Sequence, residues 1–129
     1  MTAGERRHNP VGYFEIPVAD LDRAIEFYTA VFGFRLERQT IDGYDMALFP
    51  RNDEAPGASG GLAKGDVYIP SKAGAIVYFS VDDVDAALKR AEAEGGSVLY
   101  PKTAIGQAGF IAEIEDSEGN RIALHSDPA

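Results

Sequence analysis

The chain has 129 residues and no cysteine, and its formal net charge at pH 7 is −9. This length supports one ordinary hydrophobic core, and the acidic balance argues against nucleic acid and anionic membrane surfaces, which are bound chiefly through lysine and arginine. No segment approaches the roughly 20 apolar residues of a membrane span, and a cysteine-free chain suits a reducing compartment, so we expect a cytoplasmic protein.

The first half of the sequence predicts one strand, one helix and three further strands. Residues 11–18, VGYFEIPV, are rich in β-branched and aromatic residues and predict the first strand. An amphipathic helix follows, with Asp20 as the predicted N-cap and Gly33 as its end. Short strands are then predicted over 34–40, 44–49 and 58–64, with a turn at Asp42-Gly43 and a loop over 50–58.

The second half repeats this order. A strand over 75–81 precedes a helix that starts after Asp83 and ends at Gly95-Gly96. Strands are predicted over 97–100, 109–115 and 120–125, with a turn at Glu118-Gly119-Asn120. The two leading strands are too apolar for clean alternation, which predicts that both of their faces are buried. Segments 65–74 and 101–109 are predicted to be loops positioned to cover an apolar ligand, sheet edges or a subunit contact.

An internal repeat relates the two halves. At an offset of 63 residues Gly33 aligns with Gly96, Asp20 with Asp83, and Leu36 with Leu99. An ordered series of this kind indicates a duplicated module. We therefore predict an α+β fold in which residues 1–129 form one domain of two βαβββ modules, the first over about 9–65 and the second over about 74–129.

Two motifs in this arrangement resemble a known superfamily. The stretch IPVADLDRAIEFYTAVFGFRLE and the later EDSEGNRIALHS are similar to the vicinal oxygen chelate superfamily of glyoxalases, bleomycin resistance proteins and dioxygenases. The resemblance covers nearly the whole chain. It implies an eight-stranded incomplete barrel, often in a homodimer, whose inner face holds a divalent metal in the enzymes. Bleomycin-binding members use the same cavity without a metal.

The resemblance also implies where the metal ligands of the enzymes would lie. The four positions, which hold His or Glu in the metalloenzymes, fall here at Tyr13, Gly61, Ile76 and Ala123. Glycine, isoleucine and alanine offer no donor side chain, and a phenol with a pKa near 10 stays protonated at neutral pH. A catalytic divalent ion needs about three protein ligands. We therefore expect no metal and no other cofactor at these positions.

A polar cluster is predicted beside the same positions. Glu15, Tyr78 and His125 each lie two residues from one of them, so strand alternation predicts that they share its face. A carboxylate beside an imidazole raises the histidine pKa, which suggests Glu15 as a base and His125 as an acid or orienting group. The alternatives are a dimer contact for Glu15, core packing for Tyr78 and a solvent-facing strand end for His125. Three other residues are weaker candidates, with the two arginines expected at the surface: His8, Arg23 and Arg121.

Three functions remain open at this point. The first is small-molecule binding in the barrel cavity, lined by Tyr13, Gly61, Tyr68, Ile76, Tyr78 and Ala123. The second is a lactoylglutathione lyase-like or other enzyme of the superfamily, either metal-free or with a displaced metal site. The third is a dimeric interaction module whose cavity is filled by its own side chains.

Overall fold

The structure is a computed structural model that describes residues 9–128, so His8 lies outside the described residues. The βαβββ order occurs twice, as predicted. The first module contains β1 (Phe14–Val18), α1 (Leu21–Phe32), β2 (Glu37–Ile41), β3 (Tyr44–Leu48) and β4 (Gly60–Lys64). The second contains β5 (Tyr78–Ser80), α2 (Val84–Ala93), β6 (Ser97–Ala104), β7 (Phe110–Glu115) and β8 (Arg121–Ser126), with a 3-10 turn at Gly106–Ala108.

Each module forms its own four-stranded sheet. The strand orders are β1-β4-β3-β2 and β5-β8-β7-β6, which are equivalent under the predicted repeat. The first strand of each module pairs in parallel with the last, and the other pairs are antiparallel. The α+β class and the eight-stranded, unclosed arrangement are therefore confirmed.

The predicted helix and turn signals have the expected geometry. The Asp20 carboxylate accepts a hydrogen bond from the Arg23 amide at 3.1 Å, and α1 ends at Gly33, whose φ is 73°. Asp83 caps α2 in the same way through the Ala86 amide at 3.2 Å. Asp42 and Gly43 both have positive φ, which favours the tight hairpin between β2 and β3.

One hydrophobic core serves both modules. The helices contact each other, and each packs on strands of its own sheet. Aromatic rings join the two halves, because Phe79 of β5 lies 5.6 Å from Phe49 and 5.7 Å from Tyr28 between ring centroids. Tyr28 is fully buried. Neither of the two helices in the described part of the chain is long and apolar enough to cross a membrane.

Two predictions about these elements were wrong. The leading strands are not buried on both faces, since Tyr13 and Tyr78 are each 50% exposed. The helices cover only one face of each sheet, so hydrophobic residues on the other face remain accessible. Residues 101–104 belong to β6 rather than to a loop. This edge strand pairs irregularly with β7 between Val98 and Thr103, where the missing amide hydrogen of Pro101 is tolerated.

Candidate functional site

The predicted site residues lie on the sheet faces that point away from the helices, here called the open faces. In β1 the core-facing Ile16 and Val18 are buried, whereas Glu15, which precedes Ile16, is exposed. Glu15 stands directly opposite Gly61 of β4, and Tyr78 stands opposite Ala123 of β8. Directly paired residues share a face, so each sheet brings its own predicted site residues together.

Tyr13 and Leu48 fill the space above Gly61. A Cβ at Gly61 would lie 2.9 Å from Leu48 Cδ2, 3.3 Å from the Ala47 carbonyl oxygen and 3.4 Å from the Tyr13 hydroxyl oxygen. Gly61 itself is buried. A larger side chain at position 61 would therefore contact the hydroxyl group of Tyr13.

The Glu15 carboxylate is held by two phenols from different segments. The Tyr13 hydroxyl donates to Glu15 Oε2 at 3.1 Å, and the Tyr68 hydroxyl donates to Glu15 Oε1 at 3.1 Å. Tyr68 comes from the segment between the modules, and its ring stands edge-on to Tyr44 with the centroids 5.2 Å apart. The linking segment therefore reaches across the open face of the first sheet to Glu15.

Both phenols remain protonated donors at neutral pH. Partial burial, the charge of Glu15 and the hydrogen bond to Glu15 together raise the pKa of Tyr13 to about 12. The pKa of Tyr68 is also raised, first by desolvation and then by its hydrogen bond to Glu15. The carboxylate consequently keeps two neutral hydrogen-bond donors over the physiological pH range.

His125 makes a separate contact on the second sheet. Its Nε2 lies 2.5 Å from the Ala108 carbonyl oxygen, in the 3-10 turn that follows β6. Tyr78, on the neighbouring strand, is half exposed. Within residues 9–128 no hydrogen bond joins Glu15 to Tyr78 or His125. The structure thus brings Glu15 together with Tyr13 and Tyr68, and places His125 beside the 101–109 segment.

Two hollows adjoin the Glu15 network. One of about 510 Å³ is lined by Tyr13, Leu48 and much of the 50–59 loop. A smaller one of about 140 Å³ is lined by Glu15, Ile69 and Arg121. Since Tyr13 and Glu15 are hydrogen-bonded to each other, this pair borders both hollows. An open, partly apolar recess beside a few fixed polar groups is the usual form of a small-molecule site.

The residues at the family's ligand positions do not fit a divalent metal. Tyr13, Gly61, Ile76 and Ala123 supply no carboxylate or imidazole, and the space above Gly61 is already filled. Across the described residues 9–128, no group of three or more His, Cys, Asp or Glu side chains is placed to hold a metal ion. We derive no chemistry through a metal at these four positions.

The residues of the EDSEGN stretch, from Asp116 to Asn120, join the two modules. The Asp116 carboxylate accepts a 2.6 Å hydrogen bond from the Tyr28 hydroxyl, and Asn120 Nδ2 donates to the Pro17 carbonyl oxygen at 2.7 Å. The Glu118 carboxylate accepts hydrogen bonds from the Asp20 amide at 2.8 Å and from Arg23 Nε at 2.7 Å. The motif therefore stabilises the contact between the modules, at the start of α1.

Sequence reasoning missed three features of this region. It did not identify Tyr44, although alternation after the Asp42-Gly43 turn places this ring on the open face with Met46 and Leu48. It gave Arg23 no partner, whereas the half-exposed guanidinium is paired with Glu118. It placed Arg121 at the surface, but this side chain is only 31% exposed and pairs with Glu113 on the neighbouring strand.

Comparison with known proteins establishes the family. Residues 11–124 match the Glyoxalase/Bleomycin resistance protein/Dioxygenase superfamily, and the chain belongs to it. The chain is 31% identical over 126 residues to the Mycobacterium tuberculosis protein CFP32, covering 93% of this chain and 46% of CFP32. It therefore spans about half the length of that relative.

A second relative and a solved structure match over most of their length. The lactoylglutathione lyase of Haemophilus influenzae is 32% identical over 112 residues, covering 81% of this chain and 83% of the lyase. A crystal structure of a glyoxalase/bleomycin resistance protein/dioxygenase family enzyme from Burkholderia phytofirmans superposes with a TM-score of 0.70. It is 20% identical and covers 90% of this chain and 97% of that one, so it bears on the fold alone.

Proposed function

We propose that this chain binds a small organic molecule on the open face of the first sheet, without a metal at the family's ligand positions. The observation that carries the proposal is the convergence of Tyr13 and Tyr68 on the Glu15 carboxylate. The two tyrosines lie 55 residues apart in the chain, yet both hydroxyls are 3.1 Å from the same side chain. A polar group held in this way beside two hollows is preorganised for a ligand.

Ligand-induced stabilisation tests this proposal directly. A small molecule that binds only the folded chain raises its unfolding temperature by an amount that grows with the logarithm of its concentration over its dissociation constant. We expect at least one compound in a broad metabolite and drug panel to do so. The shift should be smaller in Glu15→Gln and unchanged in Glu26→Gln, whose exposed carboxylate lies on α1. No stabilisation across the panel would contradict a binding role.

An enzymatic role is the second candidate, because relatives at about the same identity include a lactoylglutathione lyase. In a metal-free version of this enzyme, Glu15 acts as a base and His125 as an acid or orienting group. In the other version, a metal lies elsewhere in the protein. A lactoylglutathione lyase assay of the purified protein, together with elemental analysis, tests it. Activity lost in Glu15→Gln and His125→Asn would favour the metal-free version, whereas stoichiometric metal would favour a displaced metal site.

We also propose that the protein is a homodimer whose contact uses part of the exposed hydrophobic surface on and beside the open faces. Five large hydrophobic residues on or beside these faces are at least 37% exposed in the single chain: Tyr13, Ile41, Ile76, Tyr78 and Tyr100. Analytical ultracentrifugation should show a dimer, and Tyr78→Glu should shift the equilibrium towards monomer. A dimer with no ligand in the panel described above would favour an interaction module. The cytoplasmic location stays a prediction from composition.

A further inference from the structure

The open face of the first sheet carries negative charge only. Strand register places ten residues of the four strands on this face: Glu15, Pro17, Glu37, Gln39, Ile41, Tyr44, Met46, Leu48, Gly61 and Ala63. None of these described residues is a lysine or an arginine, although two are glutamates. The basic residues of the same strands, Arg38 and Lys64, lie on the opposite face. An anionic ligand would find no opposite charge among these strand residues.

The second sheet differs in this respect. Its open face includes Arg121, which forms an ion pair with Glu113 across the β7–β8 ladder. Lys72 of the linking segment pairs with Glu115 near the end of the same ladder. The carboxylates there are matched by cations of the chain itself. Arg121 also borders the smaller hollow with Glu15, but its guanidinium is paired with Glu113. Glu15 itself is paired with no lysine or arginine among the described residues.

Aromatic rings adjoin this carboxylate. Tyr13 and Tyr68 each direct a hydroxyl group to one oxygen of Glu15. Tyr44 packs against Tyr68 with 86° between the ring planes, and the backbone of Gly65 lies against both rings. The face of an aromatic ring attracts cations because its quadrupole is negative there. A cation bound at Glu15 would therefore lie beside two phenols.

The carboxylate also retains free acceptor capacity. Each oxygen of Glu15 accepts one phenol hydrogen bond, and a carboxylate has about four lone-pair positions in all. An ammonium N–H can therefore bind Glu15 without displacing either tyrosine, and the phenol oxygens are further acceptors. Because the phenols already fix the carboxylate, little side-chain ordering is required when a ligand binds.

We infer that the ligand of this site carries a protonated amine or an N-methylated ammonium group, bound at the Glu15 carboxylate beside Tyr13 and Tyr68. This inference rests on the proposed binding function and specifies the ligand class. The apolar part of such a ligand would lie along Leu48 and the 50–59 loop, which line the larger hollow beside Tyr13.

Three probes of one size and different charge test the inference on the full chain. Benzylamine is cationic at pH 7, benzyl alcohol is neutral and benzoate is anionic, and each is titrated by isothermal calorimetry or by NMR. We expect benzylamine to bind at least about tenfold more tightly than benzyl alcohol. Benzoate should bind more weakly than either. Added salt should weaken binding of benzylamine but not of benzyl alcohol, because exposed charges are screened.

Matched variants locate the site. Glu15→Gln keeps the shape of the side chain and should reduce benzylamine affinity at least about tenfold, and Tyr68→Leu should reduce it by about three- to tenfold. Glu26→Gln, on the far side of the sheet, should leave affinity unchanged. Thermal unfolding of each variant verifies that it is folded.

Three results would overturn the ligand class. These are equal affinity for benzylamine and benzyl alcohol, no loss of affinity in Glu15→Gln, and no benzylamine binding at millimolar concentration. A neutral or anionic compound that stabilises the protein in the metabolite panel would then leave the binding function intact. Failure of every probe and of the whole panel would remove both proposals together.

Discussion

The hydroxyl oxygen of Tyr13 lies 3.4 Å from the point where Gly61 would carry a Cβ. These are the two positions of the first module that the family resemblance predicts to match the metal ligands of the enzymes. Tyr13 and Leu48 leave little room for a side chain at position 61.

Gly61→Ala tests this packing. The new methyl group would press on Leu48 Cδ2 and approach the Ala47 carbonyl oxygen, so we expect a loss of about 1 kcal/mol in the free energy of unfolding. Gly12→Ala is the matched control, because nothing lies within 4 Å of its Cβ. Urea unfolding of both variants gives the comparison. Equal stability of the two would show that Leu48 and Tyr13 do not restrict position 61.

Tyr28→Phe tests the buried contact between the modules. The substitution removes only the hydroxyl, which donates to Asp116 at 2.6 Å, and leaves a buried carboxylate with one donor fewer. We expect the free energy of unfolding to fall by about 1.5–3 kcal/mol, since hydrogen bonds to charged groups are worth that amount. Tyr78→Phe, at a half-exposed ring, is the control and should change stability by less than about 0.5 kcal/mol. A similar loss in both variants would contradict a specific role for the Tyr28–Asp116 bond.

The sequence was sufficient to predict features that depend on neighbouring residues. Asp20 and Asp83 cap helices through amides three residues away, and the Asp42-Gly43 hairpin needs only the backbone preferences of those two residues. The internal repeat then predicted that the second module has the same order of elements as the first. The fold class and the order of elements could therefore be predicted without any long-range information.

The contacts that form the site could not be predicted in the same way. Tyr68 and Glu15 are 53 residues apart, and Arg23 and Glu118 are 95 apart. Alternation along a strand shows which face a residue shares, but not which segment crosses that face. For this reason alternation predicted that Glu15 shares a face with Gly61, with which it is paired, while Tyr44 was overlooked and Arg23 was given no partner.

Glu118 should contribute to the acid stability of the protein. Burial raises the pKa of its carboxyl. Hydrogen bonds from Arg23, Ser117 and the amides of Asp20 and Ala19 lower this pKa by a larger amount, so its net shift is downward. A carboxyl with a depressed pKa in the folded state stabilises that state above its unfolded pKa of about 4.3, and this contribution is lost as the pH falls through the folded pKa.

Glu118→Gln should therefore be less stable than the unmodified chain at pH 7, by about 1.5–3 kcal/mol, and this difference should shrink as the pH falls below about 4. Urea unfolding at several pH values measures both quantities. Glu26→Gln, at an exposed position on α1, is the control and should follow the unmodified chain at every pH. A difference for Glu118→Gln that stays constant down to low pH would show that the charge of Glu118 is not responsible.

The alkaline titration of Tyr13 tests the Glu15 network by an independent route. Its pKa is raised from 10.0 to about 12 by burial, by the Glu15 charge and by the hydrogen bond to Glu15. A group whose pKa is raised on folding stabilises the folded state below its unfolded pKa, and this contribution is lost as the pH rises towards 12. Ultraviolet absorbance of phenolate, compared between the unmodified chain and Tyr13→Phe, isolates this tyrosine. In Glu15→Gln the midpoint of the Tyr13 component should move down, because the negative charge of Glu15 is removed. An unchanged midpoint would mean that burial alone raises the pKa and that the contact between Tyr13 and Glu15 is not maintained in solution.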